Sequence, residues 1–457
     1  MARSDPPDRP HRHRRSRRHR QEIRRDRLHD NTWLIPGLFG ITALLMGIGV
    51  ARWSGLQDLA GDVGYRGDLD NAKIVLSTIA AAMLTFMAVV FSATLVALQL
   101  ASGQFSPRVL RTFQRDRRTQ VVQGTFLATF VYSLTALAEL GRADNRGIPF
   151  EVLVALLLVA ASLAAFILYV HHISRSIRAV YVIEAIAVEA CRALDQVFPV
   201  DPGPSPDASG FIEREGDERS AIVVPSPRSG VVAAVDLYHL ADRAESDDLY
   251  VTILPPIGAY VALGQPLFEV SVPPWSSEAR PSELARLSRA IDLTESRTMY
   301  QDIGFALRQL VDIAERALSP AVNDPTTAVQ ALDRIGDLVR RIAARPDPHG
   351  LTTGNGGAQA RVRHQVPSWE AVVELAFEEI RWFGRECIQI SRRLLAIFDD
   401  LEQLVATTGR PERAAAVQRQ RGLLVAAVLE AYPSELQGAA LQPDPMGLGS
   451  TGHPGRD

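Results

Sequence analysis

The stretch that decides the fold runs from Ile74 to Ala101 and reads IVLSTIAAAMLTFMAVVFSATLVALQLA, without one charged side chain. A helix needs about 20 apolar residues to cross the hydrocarbon core of a bilayer, so this run is long enough to span it with some tilt. Three further apolar runs lie at residues 33–51, 121–140 and 152–170. The sequence therefore predicts a membrane domain of four transmembrane helices between residues 33 and 172.

The distribution of arginine predicts how these helices are oriented. Eleven arginines precede the first apolar run, and five more lie between residues 108 and 118, after the second run. The loops that alternate with these segments, residues 52–73 and 141–149, hold few basic residues. Because loops rich in arginine and lysine stay in the cytoplasm, both termini are predicted to be cytoplasmic.

Residues 1–32 form a basic arm that is predicted to be disordered. Its arginines and histidines could bind nucleic acid or a metal ion, but an arm directly before a membrane helix is better explained as a topogenic segment. Such a segment also attracts anionic lipid. We therefore expect the lipid bilayer as a partner, no nucleic acid and no metal. Lys73 is the only lysine of the chain, which excludes a P-loop or a lysine-bound cofactor in the C-terminal half.

One polar stripe distinguishes the second apolar run. Four side chains recur at seven-residue spacing, namely Thr78, Thr85, Ser92 and Gln99. On a helix this spacing drifts by only about 20° per repeat, so the four positions form a nearly axial line. The stripe is either a seam for close helix packing or the lining of a water-filled path. No buried acid or base accompanies it, so a proton relay is not supported.

The chain beyond residue 172 is predicted to be a cytosolic α+β region. Residues 173–220 are predicted to be a connecting helix and linker. Residues 221–272 hold short β-branched runs separated by glycine and proline, which predict a small β unit. Two parts of it, residues 229–232 and 258–267, resemble the halves of a biotinyl or lipoyl barrel-sandwich. The lysine that bears the cofactor in that family is missing here, so no cofactor is expected.

Residues 273–437 repeat apolar side chains at helical spacing and predict a helical bundle, followed by a disordered tail at 438–457. A polar motif lies between two of these helices and contains Ser319, Asn323, Asp324, Pro325 and Thr326. An acidic N-cap followed by proline is a strong helix start, so the motif is predicted to be a helix corner. Its density of polar groups also fits an anion site at a helix N-terminus.

Three segments resemble the bacterial family of predicted membrane proteins labelled domain of unknown function 2254. They are residues 91–108, residues 171–177 and residues 317–328, with the sequences FSATLVALQLASGQFSPR, HHISRSI and ALSPAVNDPTTA. The resemblance extends from about residue 30 to about residue 430. It implies a location in the bacterial inner membrane and no established activity.

Two functional interpretations remain at this point. The first is a channel-like or transporter-like homo-oligomer, in which the second helices line or seal a path and the cytosolic region regulates it. Its solute or ion is not indicated. The second is a non-conducting membrane-anchored sensor or scaffold that binds a cytosolic partner. No nucleophile motif, HExxH sequence or carboxylate pair stands out, so no catalytic residue and no enzyme activity are predicted.

Overall fold

The computed structural model describes residues 33–52, 69–104, 117–140, 149–176, 178–201, 205–212, 220–272, 284, 286–354 and 357–446. The described residues form two compact units, a helical unit within residues 24–181 and a C-terminal unit within residues 182–457. The predicted order, apolar helices followed by a mixed helix and sheet region, is confirmed. The basic arm at 1–32 lies outside the described residues.

The described residues of the helical unit form four helices. Their bounds are Leu34–Arg52 (α1), Leu69–Gln104 (α2), Arg117–Leu140 (α3) and Pro149–Ser176 (α4). Among the described residues, α2, α3 and α4 each contain a segment long and apolar enough to cross a membrane. The apolar stretch of α1, Leu34–Val50, is shorter.

Helix α3 packs against all three other helices of this unit. Close approach depends on glycine, since a Cβ on Gly124 would press on the Phe39 ring and one on Gly47 would press on Thr135. Hydroxyl pairs bridge the helices as well. Thr129 Oγ1 lies 2.8 Å from Ser162 Oγ, so α3 and α4 satisfy each other's buried polar groups.

The C-terminal unit contains the remaining elements. Its helices are Ala179–Val197 (α5), Ser209–Ile212 (α6), Leu237–Ser246 (α7), Ile303–Leu318 (α8), Pro325–Ala343 (α9), Trp369–Phe383 (α10), Ile388–Thr407 (α11), Ala414–Ala431 (α12) and Ser434–Ala440 (α13). Its strands are Ser220–Pro225 (β1), Gly230–Val235 (β2), Tyr250–Ile253 (β3), Tyr260–Val261 (β4), Pro266–Val272 (β5), Ile291–Thr294 (β6), Leu351–Thr353 (β7) and Ala360–Arg363 (β8). The connecting helix predicted within residues 173–220 is interrupted, because α4 ends at Ser176 and α5 begins at Ala179.

The strands form two sheets that reach beyond the predicted β unit at 221–272. One sheet has the order β1-β5-β3-β8-β7 and the other the order β4-β2-β6. Strands β6, β7 and β8 therefore come from the range 273–437, which was predicted to be a helical bundle. These strands are only three or four residues long, so the short alternation of β6 (IDLT) and β8 (ARVR) does not distinguish them from loops, and their pairing with β2 and β3 appears only in the fold.

The helices α8 to α12 pack into a bundle around one apolar interior. The chain continues in order past residue 438, where the sequence predicted a disordered tail. Arg392 Nε donates to Ala439 O at 2.7 Å, and Asp444 N donates to Arg392 O at 3.1 Å. Arg393 Nη1 also donates to Pro445 O at 2.7 Å. These contacts hold residues 438–446 against α11, and residues 447–457 lie outside the described part.

Candidate functional site

The C-terminal unit contains a partly open cavity of about 610 Å³, which is within the range of small-molecule sites. The end of α5, the segments on both sides of the β7–β8 hairpin, and the first turns of α8 and α10 surround it. Its walls are mostly apolar and include Val197, Leu237, Ile257, Val366 and Pro367. Its polar lining residues include Gln196, Arg297, Asp302, His349, His364 and Ser368.

An ion pair lies on one wall of this cavity. Arg297 donates to Asp302 Oδ2 from Nη2 at 2.8 Å and from Nε at 3.0 Å. Asp302 is buried, and its Oδ1 accepts a hydrogen bond from the backbone N–H of Phe305 at 2.8 Å as the N-cap of α8. Burial raises the pKa of the Asp302 carboxyl, and Arg297 and the Phe305 N–H offset part of this effect. A side chain at Gly258 (φ +88°) would collide with both partners, so the pair requires glycine there.

His364 lies on another wall, directly after β8. Burial lowers the pKa of its imidazole to about 4, so the ring is neutral at neutral pH. Its Nδ1 has no hydrogen-bond partner among the described residues. The backbone of His364 donates to Gly350 O at 2.9 Å, and Gly350 adopts φ +63°. This backbone hydrogen bond beside the β7–β8 hairpin thus holds His364 at the cavity wall.

Side-chain amides fasten the cavity walls to the sheets. Gln301 (φ +58°) accepts from Val235 N at 3.0 Å and donates to Val235 O at 3.2 Å, which ties the start of α8 to β2. Gln365 Nε2 donates to Leu254 O at 2.5 Å, which ties the segment after β8 to the end of β3. Because these amide hydrogen bonds hold both walls to the sheets, the protein itself fixes the shape of the cavity.

Helix α10 brings a second N-terminus to the cavity. Its N-cap Ser368 accepts a hydrogen bond from Ala371 N at 3.2 Å, and both residues line the cavity. Trp369 is buried behind them and donates from Nε1 to Arg413 O at 2.9 Å. The first turn of a helix presents N–H groups without intrahelical partners, so α8 and α10 both direct partial positive charge to this region.

A charged cluster between α8 and α10 lies outside the cavity. Arg308 contacts Asp312 at 2.6 Å, Glu315 at 3.0 Å and Glu379 at 2.5 Å. Burial and the neighbouring Glu379 raise the pKa of Glu315 to about 7. The guanidinium and the carboxylates pair with one another, so we interpret the cluster as a packing contact between two helices.

The four stripe residues Thr78, Thr85, Ser92 and Gln99 are all exposed on the surface of the single chain. Thr78 Oγ1 donates to Ile74 O at 2.7 Å, and Thr85 Oγ1 donates to Ala81 O at 3.2 Å. Ser92 lines a shallow groove of about 400 Å³ between α2 and α4. The stripe is therefore not a seam between the described helices of one chain.

The motif at 319–326 lies at the corner between α8 and α9. Asp324 is the N-cap of α9, where Oδ1 accepts from Thr327 N at 3.1 Å and Oδ2 accepts from Thr327 Oγ1 at 2.6 Å. Pro325 is the first helical residue, Asn323 adopts φ +48°, and Ser319 Oγ donates to Arg316 O at 2.7 Å. Thr326 is exposed. Most of the polar groups thus bond within the corner itself.

The sequence interpretation did not single out the cavity residues. Arg297, Asp302 and His364 come from separate elements, and His364 reaches the cavity that the other two line only because β8 pairs with β3. One local signal was present, because Asp302 stands before an apolar helix as an N-cap. Within the described residues no group of three His, Cys, Asp or Glu side chains is arranged to hold a metal ion.

Comparisons with known proteins cover both units. The model of a family described as predicted membrane proteins (DUF2254) matches residues 29–400, which include the stripe, the corner and the cavity residues Arg297, Asp302 and His364. Similar relatives are uncharacterized proteins of Mycobacterium tuberculosis and Mycobacterium bovis. Each is 31% identical over 428 residues, which is 90% of this chain and 78% of the relative. No solved structure matches the chain.

Proposed function

Since this chain belongs to the DUF2254 family of predicted membrane proteins, we propose that it is a channel-like or transporter-like homo-oligomer of the bacterial inner membrane. In this proposal all four helices α1 to α4 cross the bilayer, both termini are cytoplasmic, and the C-terminal unit regulates from the cytosol. The arginine distribution supports the orientation, and the basic arm contacts anionic lipid. The proposal contains no catalytic step.

Helix α1 is included because it shares the packing of the longer helices. It is 19 residues long, close to the length that spans a bilayer, and its glycines allow close contact with α3. Its outward face exposes Leu38, Ile41 and Leu45 at 59%, 59% and 64%. Such a face is stable against lipid chains and unfavourable in water, so α1 belongs in the same medium as α2 and α4.

The exposed polar stripe of α2 carries the proposal of a path. Thr78 and Thr85 satisfy their hydroxyls on their own helix, whereas Ser92 and Gln99 have no side-chain hydrogen bond among the described residues. An unpaired amide or hydroxyl that faces hydrocarbon costs free energy. Second helices from several copies, arranged around water or around one another, remove this cost.

Thiol accessibility tests the proposal directly. In a full-length background with Cys191→Ala and Cys387→Ala, Ser92→Cys should react with a membrane-impermeant methanethiosulfonate reagent at least about tenfold faster than Leu157→Cys. Leu157 is 62% exposed on α4 and should face lipid, where thiolate formation is suppressed. Ser162→Cys is the matched serine control, because Ser162 is fully buried. Equal, slow labelling at all three positions would contradict a water-filled path.

A second candidate function is supported by a different observation. The preformed cavity of the C-terminal unit is suited to a small ligand, which favours a membrane-anchored sensor that signals to a cytosolic partner. Osmotic swelling of proteoliposomes in a series of small solutes separates the two functions. A path predicts swelling that Ser92→Leu reduces, because an isobutyl group fills a narrow pore and favours dewetting. A sensor predicts no swelling with either protein.

A further inference from the structure

We propose that the cavity of the C-terminal unit binds a small organic anion, a carboxylate or phosphate carried on an apolar body. This inference goes beyond the proposed membrane path and stands on the cavity alone. The volume of about 610 Å³ accommodates an apolar body against Ile257, Val366 and Pro367. Burial of that apolar body contributes affinity but does not orient the ligand, so the polar groups on the walls determine which ligand binds.

The polar groups are arranged to donate hydrogen bonds. Arg297 binds Asp302 through Nε and Nη2, and its Nη1 has no hydrogen-bond partner among the described residues. The Arg297 side chain is 41% exposed where it lines the cavity. A guanidinium with one free amino group binds a carboxylate or phosphate oxygen through charge-assisted hydrogen bonds.

The one carboxylate on the cavity wall is already occupied. Asp302 Oδ2 accepts both hydrogen bonds from Arg297, and Oδ1 accepts the one from Phe305 N. A cation would have to compete with the guanidinium for this carboxylate. An anion needs no such exchange, because it binds the donors of Arg297 that point away from Asp302.

Two helix starts add further hydrogen-bond donors, and His364 adds one more polar nitrogen. Ile303 and Gly304 in the first turn of α8, and Ser368 and Ala371 in the first turn of α10, line the same cavity. The N-terminus of each helix favours negative charge. The unpartnered Nδ1 of His364 supplies a nitrogen that a ligand can engage from a third direction. The guanidinium of Arg297 and the two helix starts thus converge on an acceptor-rich ligand.

Calorimetric titration of the full-length protein in lipid nanodiscs tests the ligand class. The probes are benzoate, phenyl phosphate, inorganic phosphate and benzamide, a neutral analogue of benzoate with the same shape. We expect saturable binding of benzoate or phenyl phosphate at least about tenfold tighter than of benzamide. Inorganic phosphate should bind more weakly than phenyl phosphate, because it has no apolar body. The ratio between benzoate and phenyl phosphate distinguishes a carboxylate site from a phosphate site.

Two variants locate the binding in the cavity. Ala371→Trp places an indole into the cavity from an exposed position on α10, and it should abolish probe binding without lowering the melting temperature. Ala415→Trp is the matched control, since Ala415 is exposed near the start of α12 and lies outside the cavity. Arg297→Gln should remove the preference for benzoate over benzamide, a ratio that a general loss of stability does not change.

The proposal is overturned by any of three results. The first is that benzamide binds as tightly as benzoate, which means that the site is apolar and does not select charge. The second is that the Ala371→Trp variant binds the probes as well as the Ala415→Trp variant, which means that the probes bind outside the cavity. The third is that none of the four probes shows saturable binding in the millimolar range, which means that the cavity is not an anion site.

Discussion

The two units of this protein treat apolar side chains in opposite ways. Helix α4 exposes Leu157, Ile167 and Leu168 at 62%, 63% and 68%, whereas α8 buries Leu307 and Leu310 completely. Each of the two helices packs one face on a neighbouring helix. They differ in what lies outside, since the outward face of α4 suits hydrocarbon, whereas α8 is buried on most sides and exposes a charged residue, Arg316, near its end. The outward-facing side chains of each helix therefore indicate which medium suits its unit.

Polar groups inside the two units differ in the same way. The helical unit buries hydroxyls in pairs, such as Thr129 with Ser162. The C-terminal unit buries a complete guanidinium, because Arg413 is only 2% exposed. Water can solvate the unfolded form of the second unit, so its buried charge must be compensated by many partners. The following four predictions test this contrast, from the largest expected effect to the smallest.

Removal of the buried guanidinium should cause the largest loss of stability. Arg413 donates to Ile342 O at 3.0 Å and to Ala343 O at 2.9 Å, and it lies 5.3 Å from the centre of the Trp369 ring. Arg413→Ala leaves the end of α9 without these donors, so we expect a loss of about 3–5 kcal/mol. Thermal unfolding of the full-length protein measures it. The control Arg419→Ala breaks an exposed ion pair with Glu374 and should cost under about 1 kcal/mol.

The cavity histidine should make stability depend on pH. The pKa of His364 is lowered in the folded protein to about 4, from an ordinary value of 6.5. The folded state therefore resists protonation, and its stability is complete above pH 6.5 and falls as pH drops from about 6.5 to about 4. The slope is at most about 1.4 kcal/mol per pH unit. His364→Gln should flatten this part of the profile, and an unchanged slope in that variant would contradict the assignment to His364.

The helix corner between α8 and α9 should contribute a moderate amount to the folding stability. Asp324→Ala removes the acceptor for Thr327 N and Thr327 Oγ1, so we expect a loss of about 0.5–2 kcal/mol. Asp324→Asn keeps an acceptor at the N-cap and should restore most of this stability. A variant that kept its melting temperature but lost binding of inorganic phosphate would instead favour the anion-site interpretation of the motif.

The hydroxyl pair of the helical unit should show the smallest effect. Thr129→Val leaves Ser162 without its partner, with an expected loss of about 0.6 kcal/mol. Thr42→Val is the control, because Thr42 is exposed and bonds only to Leu38 O on its own helix. A double-mutant cycle with Ser162→Ala isolates the pair. A coupling as large as that of Arg413 would contradict the contrast between the two units.

Local features could be predicted from the sequence because they depend on neighbouring residues. The four apolar runs fall within or beside α1 to α4, since helix length and composition act over adjacent turns. The order of apolar helices before a mixed region follows from the same counts. The start of α9 at Pro325 is another case, because an N-cap bond joins residues only three positions apart.

Other features were decided only by the tertiary structure. Strands β7 and β8 lie about a hundred residues from β3, and each is too short to show a period of its own, so only hydrogen bonding across the sheet defines them. The exposure of the α2 stripe depends on which helices pack beside it. The cavity depends on both effects, because Arg297 and His364 line one cavity only after β8 pairs with β3 and α10 packs on α8. Contacts between residues distant in sequence form when helices pack and strands pair, and no local pattern of side chains predicts them.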